Sequence, residues 1–209
     1  METWEIKGHS LEYIDESHTY LVDGIIVPSI TQIMKIKFGN KYSGVSNEIL
    51  NKAAENGTRV HEAIEKLCKC GEVEDIKEVK NFMFLQKHYK FEVVDNEVPI
   101  IIFKDNVPIC AGRLDLVLKI DDLIGGGDIK RTSTLDKEYL TYQLNLYRIG
   151  YRQSYDIEWE FLKGLHLREN TRKFIDLPIN ENMAWKLIDE YLNKEKKWKS
   201  LVKNGLKTN

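Results

Sequence analysis

Two stretches decide the fold: Ala111-Gly112-Arg113-Leu114-Asp115-Leu116-Val117 and, beyond a polar break at Asp121-Asp122, Gly127-Asp128-Ile129-Lys130. Each lies in or at the end of a strand-like segment, which predicts strands over 109–120 and 123–130 joined as a hairpin. Side chains alternate along a strand, so Asp128 and Lys130 project to one side with Ile129 turned away. Pairing of the two strands brings Asp115 beside Asp128. Two carboxylates at one point repel each other unless a cation sits between them, and oxygen ligands of this kind suit Mg²⁺ or Mn²⁺. Phosphodiester cleavage uses such a site. The metal activates a water and offsets charge on the phosphorane-like transition state, and an ammonium such as Lys130 orients that water or stabilises the developing charge. Asp-x-Lys alone also describes a hairpin with ordinary surface charges.

Outward from this hairpin the chain reads as α/β. Strands are expected at 11–14, 19–22 and 25–27, with a tight turn at Asp23-Gly24 and Ser29 as N-cap of a helix through Ile30, Ile33 and Met34. A polar stretch, 37–46, leads to helices at 49–55 and 58–69, separated by Asn56-Gly57, and a further helix spans 75–89. Strands follow near 91–94 and 99–103 on one side of the acidic hairpin. A helix over 137–152, a strand over 157–165 and a lysine-rich helix over 181–202 complete the chain. The reading is one domain over 1–209: a strand-rich segment (1–45), a helical region carrying His61 (46–90), a core (91–167) and a C-terminal helical extension (168–209). The fold class is a mixed central sheet flanked by helices.

Four short motifs then occur in order: Gly57-Thr58-Arg59-Val60-His61, Gly112-Arg113-Leu114-Asp115, Asp128-Ile129-Lys130 and Gln143-Leu144-Asn145-Leu146-Tyr147. In these the chain resembles the RecB-like branch of the PD-(D/E)xK nuclease superfamily. Pro28-Ser29-Ile30-Thr31 is similar to a stretch of phage-type exonucleases and the mitochondrial genome maintenance exonuclease. The resemblance touches roughly Tyr20 to Leu165 and implies a restriction-endonuclease-like core of order αβββαβ. It implies that His61, Asp115 and Asp128 bind metal with the Ile129 carbonyl, and that Lys130 is the catalytic lysine. Gln143 and Tyr147, one turn apart on a helix, would steady the site or the DNA backbone. Glu97 sits where related enzymes often carry an acid and is a weaker candidate. Two departures stand out: no proline precedes Asp115, and Gly125-Gly126-Gly127 replaces bulky apolar residues, which suggests a bulge or a close backbone approach.

Arg131, Thr132 and Ser133 are candidate DNA-binding residues through cation and hydroxyl contacts to phosphate; an ordinary polar loop is the alternative. His61, beside an apolar stripe of Val60, Ile64 and Leu67, would usually be structural, and the downstream motifs reverse that. Its imidazole suits Mn²⁺ better than Mg²⁺. Glu65, one turn from His61, is a weaker candidate than the ligands. The C-terminal lysines 194, 196, 197, 199 and 203 read as a solvated helix face, with Trp185, Leu187, Tyr191 and Trp198 packing inward.

Bulk properties bound the rest. The 209 residues are 42 % hydrophobic and 31 % charged, the balance of a globular chain. No apolar run reaches the roughly 18 residues of a membrane span, and Met1-Glu2-Thr3-Trp4-Glu5 lacks the basic start of a secretory signal. No membrane partner and a cytoplasmic setting are expected. Cys68, Cys70 and Cys110 match neither a zinc nor an iron–sulfur pattern, so reduced thiols and no cluster are expected. A net charge of −2 argues against a non-specific nucleic-acid binder and leaves room for a local groove. The expected function is a metal-dependent DNA exonuclease in recombination, repair or phage DNA processing, with single-stranded or duplex ends as substrate. A structure-specific endonuclease and a non-catalytic DNA-binding subunit are the alternatives.

Overall fold

The structure, a computed structural model, describes residues 1–39, 44 and 46–203, the side chains of 47 and 197–203 excepted. Part of the polar stretch and the side chains of Lys197, Trp198, Lys199 and Lys203 therefore lie outside the described residues. Strands β1 (Glu2–Ile6), β2 (His9–Ile14), β3 (Thr19–Val22) and β4 (Ile25–Val27) form an antiparallel meander. Asp23 and Gly24 both take positive φ, 52° and 74°, as the turn between β3 and β4 requires. Helix α1 (Ile30–Phe38) starts at a capping box: Ser29 Oγ accepts from Gln32 N and the Gln32 side chain accepts from Ser29 N.

Helix α2 (Asn47–Cys70) is continuous, so the expected break at Asn56-Gly57 is corrected. A glycine inside a helix costs about 1 kcal/mol relative to alanine. Helical turns on either side propagate through it cooperatively, and Asn56 Nδ2 donates to Lys52 O at 2.7 Å. Helix α3 (Lys77–Tyr89) follows. The two short strands expected at 91–94 and 99–103 are one strand, β5 (Phe91–Lys104), with a register shift between Val93 and Asp95. Pro99 is tolerated because β5 is a sheet edge, where a missing N–H breaks no ladder. β6 (Val107–Ile120) and β7 (Leu123–Lys130) are the expected hairpin, and α4 (Lys137–Tyr155) crosses from β7 to β8 (Phe161–Arg168). β9 (Thr171–Leu177) and α5 (Glu181–Lys203) end the described chain.

The second sheet has the order β5-β6-β7-β8-β9, with β7 and β8 parallel and the other pairs antiparallel. From α3 to β8 the element order is αβββαβ. Helices cover both faces. On one, Ile33 and Met34 of α1, Leu140 and Leu144 of α4 and Leu187 of α5 pack with Ile100 and Leu114. On the other, Val60 and Ile64 of α2 and Phe82 of α3 pack with Leu116, Leu118 and Ile129. The meander sits on Ile101 and Ala111. Among the described residues, no helix is long and apolar enough to cross a membrane.

The three glycines before Asp128 have a packing cause. A Cβ on Gly125 would come within 2.4 Å of Phe161, on Gly126 within 2.0 Å of Trp159, and on Gly127 within 2.7 Å of Leu118. Close approach of these large side chains demands bare backbone in β7, and β7 keeps its register with both neighbours through the run.

Candidate metal centre

Three neighbouring strands each deliver one acid. The β5–β6 pairing sets Asn96 against Leu116 and Val98 against Leu114, which puts Glu97 opposite Asp115. The β6–β7 pairing ends at Leu116 and Gly127, and one further step sets Asp115 opposite Asp128. Glu97, Asp115 and Asp128 thus occupy neighbouring positions on three adjacent strands, and ligand atoms of the first two meet. Glu97 stands in the left-handed region at φ 51°, a conformation that a non-glycine residue adopts at an energetic cost and that clusters at functional positions.

Helix α2 supplies His61 from the opposite wall, its orientation set by Val60 and Ile64 in the core beside it. His61 Nδ1 lies 3.6 Å from Asp115 Oδ2 and 3.9 Å from Glu97 Oε1, and Nε2 lies 3.1 Å from the Ile129 carbonyl oxygen. Asp115 Oδ2 also accepts the Ile129 N–H at 2.7 Å, which ties β6 to the end of β7. Ligand atoms of His61, Glu97 and Asp115 all fall within 4.8 Å of one another. Burial works against a charge on His61, but Asp115 and Glu97 outweigh it and raise its pKa to about 9. An imidazolium bracketed by acceptors on both ring nitrogens fills the place of a cation here.

Asp128 is 1 % exposed. Its Oδ2 lies 2.5 Å from Lys130 Nζ, and neither carboxylate oxygen is met by a donor in good hydrogen-bond geometry. Burial raises the Asp128 pKa above the usual carboxylate range, with Lys130 pulling it back and Asp115 adding to the rise. Burial also works to discharge Lys130, and Asp128 more than compensates, so the ammonium is held above its ordinary pKa. Ile129 packs into the α2–α3 layer while its neighbours face the other way.

Gln143 and Tyr147 lie on the buried side of α4, with Gln143 Oε1 lacking a hydrogen-bond partner among the described residues. Tyr147 faces the cleft and packs on Gly112, where a Cβ would meet its ring and Ile30 at 3.2 Å. Two of the four motifs are thereby in contact. Burial drives the Tyr147 hydroxyl well above its ordinary pKa, and the Asp115 charge adds to this.

The structure does not bring 131–133 to this centre. Arg131 Nε donates to Glu78 of α3 at 2.8 Å, so its guanidinium already has a buried counter-charge. Thr132 and Ser133 line a second, apolar groove of about 950 Å³, with Ile49, Leu50 and Ala53. His166 Nε2 is 2.7 Å from the Thr132 carbonyl oxygen, which pins the chain just after Lys130. Arg131 is thus held in an ion pair with α3, and Thr132 and Ser133 form part of a groove wall. Glu65 faces the cleft and pairs with Lys69 at 2.5 Å.

The cleft measures about 930 Å³ and takes its walls from α2, β5, β6 and the N-terminal meander. Glu2, Asp15, Glu62, Glu65, Glu97 and Asp115 line it against Arg113 and Lys130. An acid-lined cleft repels phosphate unless cations offset it. Arg113, read in the sequence only as a spacer in Gly-x-x-Asp, is therefore a residue of this cleft. Its position two before Asp115, on the same strand face, was the available signal.

No family model matches the chain, and no curated protein matches it. A solved structure described as "Crystal structure of SSO0001" is similar over 79 % of this chain and 75 % of its own, at 13 % identity and a TM-score of 0.48. A likeness of that degree carries no argument about function.

Proposed function

We propose that this chain is a metal-dependent deoxyribonuclease of the RecB-like PD-(D/E)xK type, an exonuclease acting on DNA ends in recombination, repair or phage DNA processing. The observation that carries the reading is the convergence of His61, Glu97 and Asp115 ligand atoms within 4.8 Å, in the cleft that also holds Lys130. Crowding of this kind raises the cost of ionising each acid, and a protein that only binds DNA gains nothing from it.

The donor set fits a hard divalent ion: carboxylate oxygens, the Ile129 carbonyl and one imidazole, the last favouring Mn²⁺ over Mg²⁺. The buried carboxylate of Asp128, which has Lys130 beside one oxygen, fits the same role. His61, Glu97, Asp115, Asp128 and the Ile129 carbonyl would hold it. When bound, the ion supplies an acidified water and a counter-charge for the pentacoordinate phosphorus.

The chain's own residues do the rest. Lys130, kept charged by Asp128, presents an ammonium to the attacking water or to a phosphate oxygen. Tyr147 stays protonated at neutral pH and offers a hydroxyl donor to the substrate backbone. Gly57 and Ala54 leave part of the α2 wall of the cleft without long side chains.

End-labelled single- and double-stranded DNA, incubated with Mg²⁺, Mn²⁺ or EDTA, tests the proposal beside Asp128→Ala and Lys130→Ala. Metal-dependent shortening from the ends, absent in both variants, is expected. Full activity in either variant removes the mechanism, and nicking of covalently closed circles replaces the exonuclease with an endonuclease.

A further inference from the structure

Arg113 reaches the candidate centre from the side away from α2. Its Nε forms an ion pair with Glu97 Oε2 at 2.9 Å, while the other oxygen of that carboxylate faces His61. Its Nη1 meets Glu2 Oε1 at 2.8 Å, and its guanidinium carbon lies 5.5 Å from the Tyr13 ring centroid. Glu2 and Tyr13 are cross-strand partners in the β1–β2 ladder. The meander therefore offers one acid and one aromatic face, side by side, to a single guanidinium, a combination that suits arginine far better than lysine. Glu97 needs such a hold, because its backbone sits in the left-handed region and persists there only if its surroundings over-determine it.

We infer that Arg113 is a positioning residue: it holds Glu97 with one oxygen turned toward His61 and Asp115, and it makes the cation site depend on the N-terminal sheet through Glu2 and Tyr13. The inference rests on the metal site proposed above. A second effect opposes it. A guanidinium near a bound cation repels that cation, so by charge alone its removal would tighten metal binding. Geometry wins because Glu97 and Glu2 already neutralise Arg113 at hydrogen-bond distance, which leaves little net field. The meander is then part of the site and not an appendage on its rim.

Mn²⁺ titration by calorimetry, with circular dichroism to check folding, separates these effects in the full chain. Arg113→Met is expected to weaken Mn²⁺ binding by about tenfold or more, the usual effect of losing an outer-shell partner. Arg113→Lys should recover part of the loss, and Glu2→Gln should show a smaller loss in the same direction. DNA hydrolysis should fall mainly in kcat. Unchanged or tighter Mn²⁺ binding in Arg113→Met overturns the inference. Should that variant not fold, wild-type affinity in both Arg113→Lys and Glu2→Gln overturns it, and loss in both upholds it. Asp115→Asn serves as the separate control: if it binds Mn²⁺ like the wild type, the metal site itself is wrong. If it loses Mn²⁺ while the Arg113 variants keep it, only the role of Arg113 falls.

Discussion

Two ionic clusters in this molecule obey opposite rules. At the end of α4, Arg148 and Arg152 share Glu158 and Glu181, and every carboxylate oxygen meets a guanidinium. Arg148 also donates to the Trp159 carbonyl at 2.9 Å. Charges there alternate in sign and are spent on each other, joining α4, the segment before β8 and the start of α5. In the middle of β5 and β6 and near the end of β7, Glu97, Asp115 and Asp128 stand on neighbouring strands, Lys130 is the ion-pair partner of the buried Asp128, and a histidine is driven to carry a proton at neutral pH. The first cluster is complete within the chain. The second becomes electrostatically balanced only with something added, and that contrast is a better guide to function than the number of charges in either place.

The widest expected separation comes from Lys130→Ala. Removing one partner of a buried ion pair leaves the other uncompensated, which typically costs about 3–5 kcal/mol, and urea unfolding without metal should show a loss of that order. The proposed nuclease activity should fall by roughly a thousandfold, the scale of losing a donor aimed at developing charge. The double variant Lys130→Met with Asp128→Leu should regain most of the stability and none of the activity. Recovery of both would place the pair with the α4 cluster, as mere structure.

Metal linkage should separate the clusters next most strongly. With Mn²⁺ at a hundred times its dissociation constant, the wild-type protein should gain about 2.7 kcal/mol of unfolding free energy, read as a rise in Tm. Asp115→Asn should lose that gain while retaining its fold, because an amide oxygen can still accept the Ile129 N–H. An equal Mn²⁺-dependent rise in both proteins would mean that the ion binds elsewhere.

Alternation along 109–120 and 123–130, with a polar turn between them, was enough to foresee Asp115 beside Asp128 and Lys130 two residues on. His61 was foreseeable from its place in an ordered series of motifs. Glu97 was only half visible, since Asp95-Asn96-Glu97 looks like a polar gap between two strands, whereas β5 runs on through them and holds one register from Asp95 to Ile102. The meaning of Gly125-Gly126-Gly127 lay outside the local sequence: Trp159 and Phe161, which fill the space above these glycines, arrive only after α4. Strands β1 and β9 went unread because their outward residues are charged, and Thr171–Leu177 has too little apolar character to stand out from a loop. The ion pair of Arg131 was out of sight for a related reason. Its partner Glu78 is 53 positions away on α3, beyond any local pattern.

The protonation of His61 yields a smaller, graded effect. Its pKa is raised from 6.5 to about 9, so its contribution to stability in the metal-free protein is fully present below about pH 6.5 and is lost as pH rises through about 9. An ion that takes the imidazole as ligand must displace that proton. Mn²⁺ affinity should therefore fall about tenfold per unit of pH lowered below about 9, or about 1.4 kcal/mol per unit, and calorimetry in buffers of different ionisation enthalpy should record proton release. Affinity independent of pH over 7–9 would remove His61 from the ligand set.

Glu181→Gln marks the other end of the scale. The carboxylate is half-buried and accepts from Arg152 at 2.6 and 3.0 Å and from Arg148, yet both guanidinia keep Glu158 as a partner. Losing the charge while keeping the side chain's shape should cost about 0.5–1 kcal/mol, near the upper end for partly exposed pairs, and the loss should shrink in salt. Mn²⁺ affinity and nuclease rate should stay within about twofold, since sites far apart with no shared partners behave independently. A large drop in activity here would show that α4 transmits strain from its C-terminal end to Gln143 and Tyr147. Charge completeness would then no longer distinguish scaffold from site, and the comparison between the two clusters would fail on the side that looked safest.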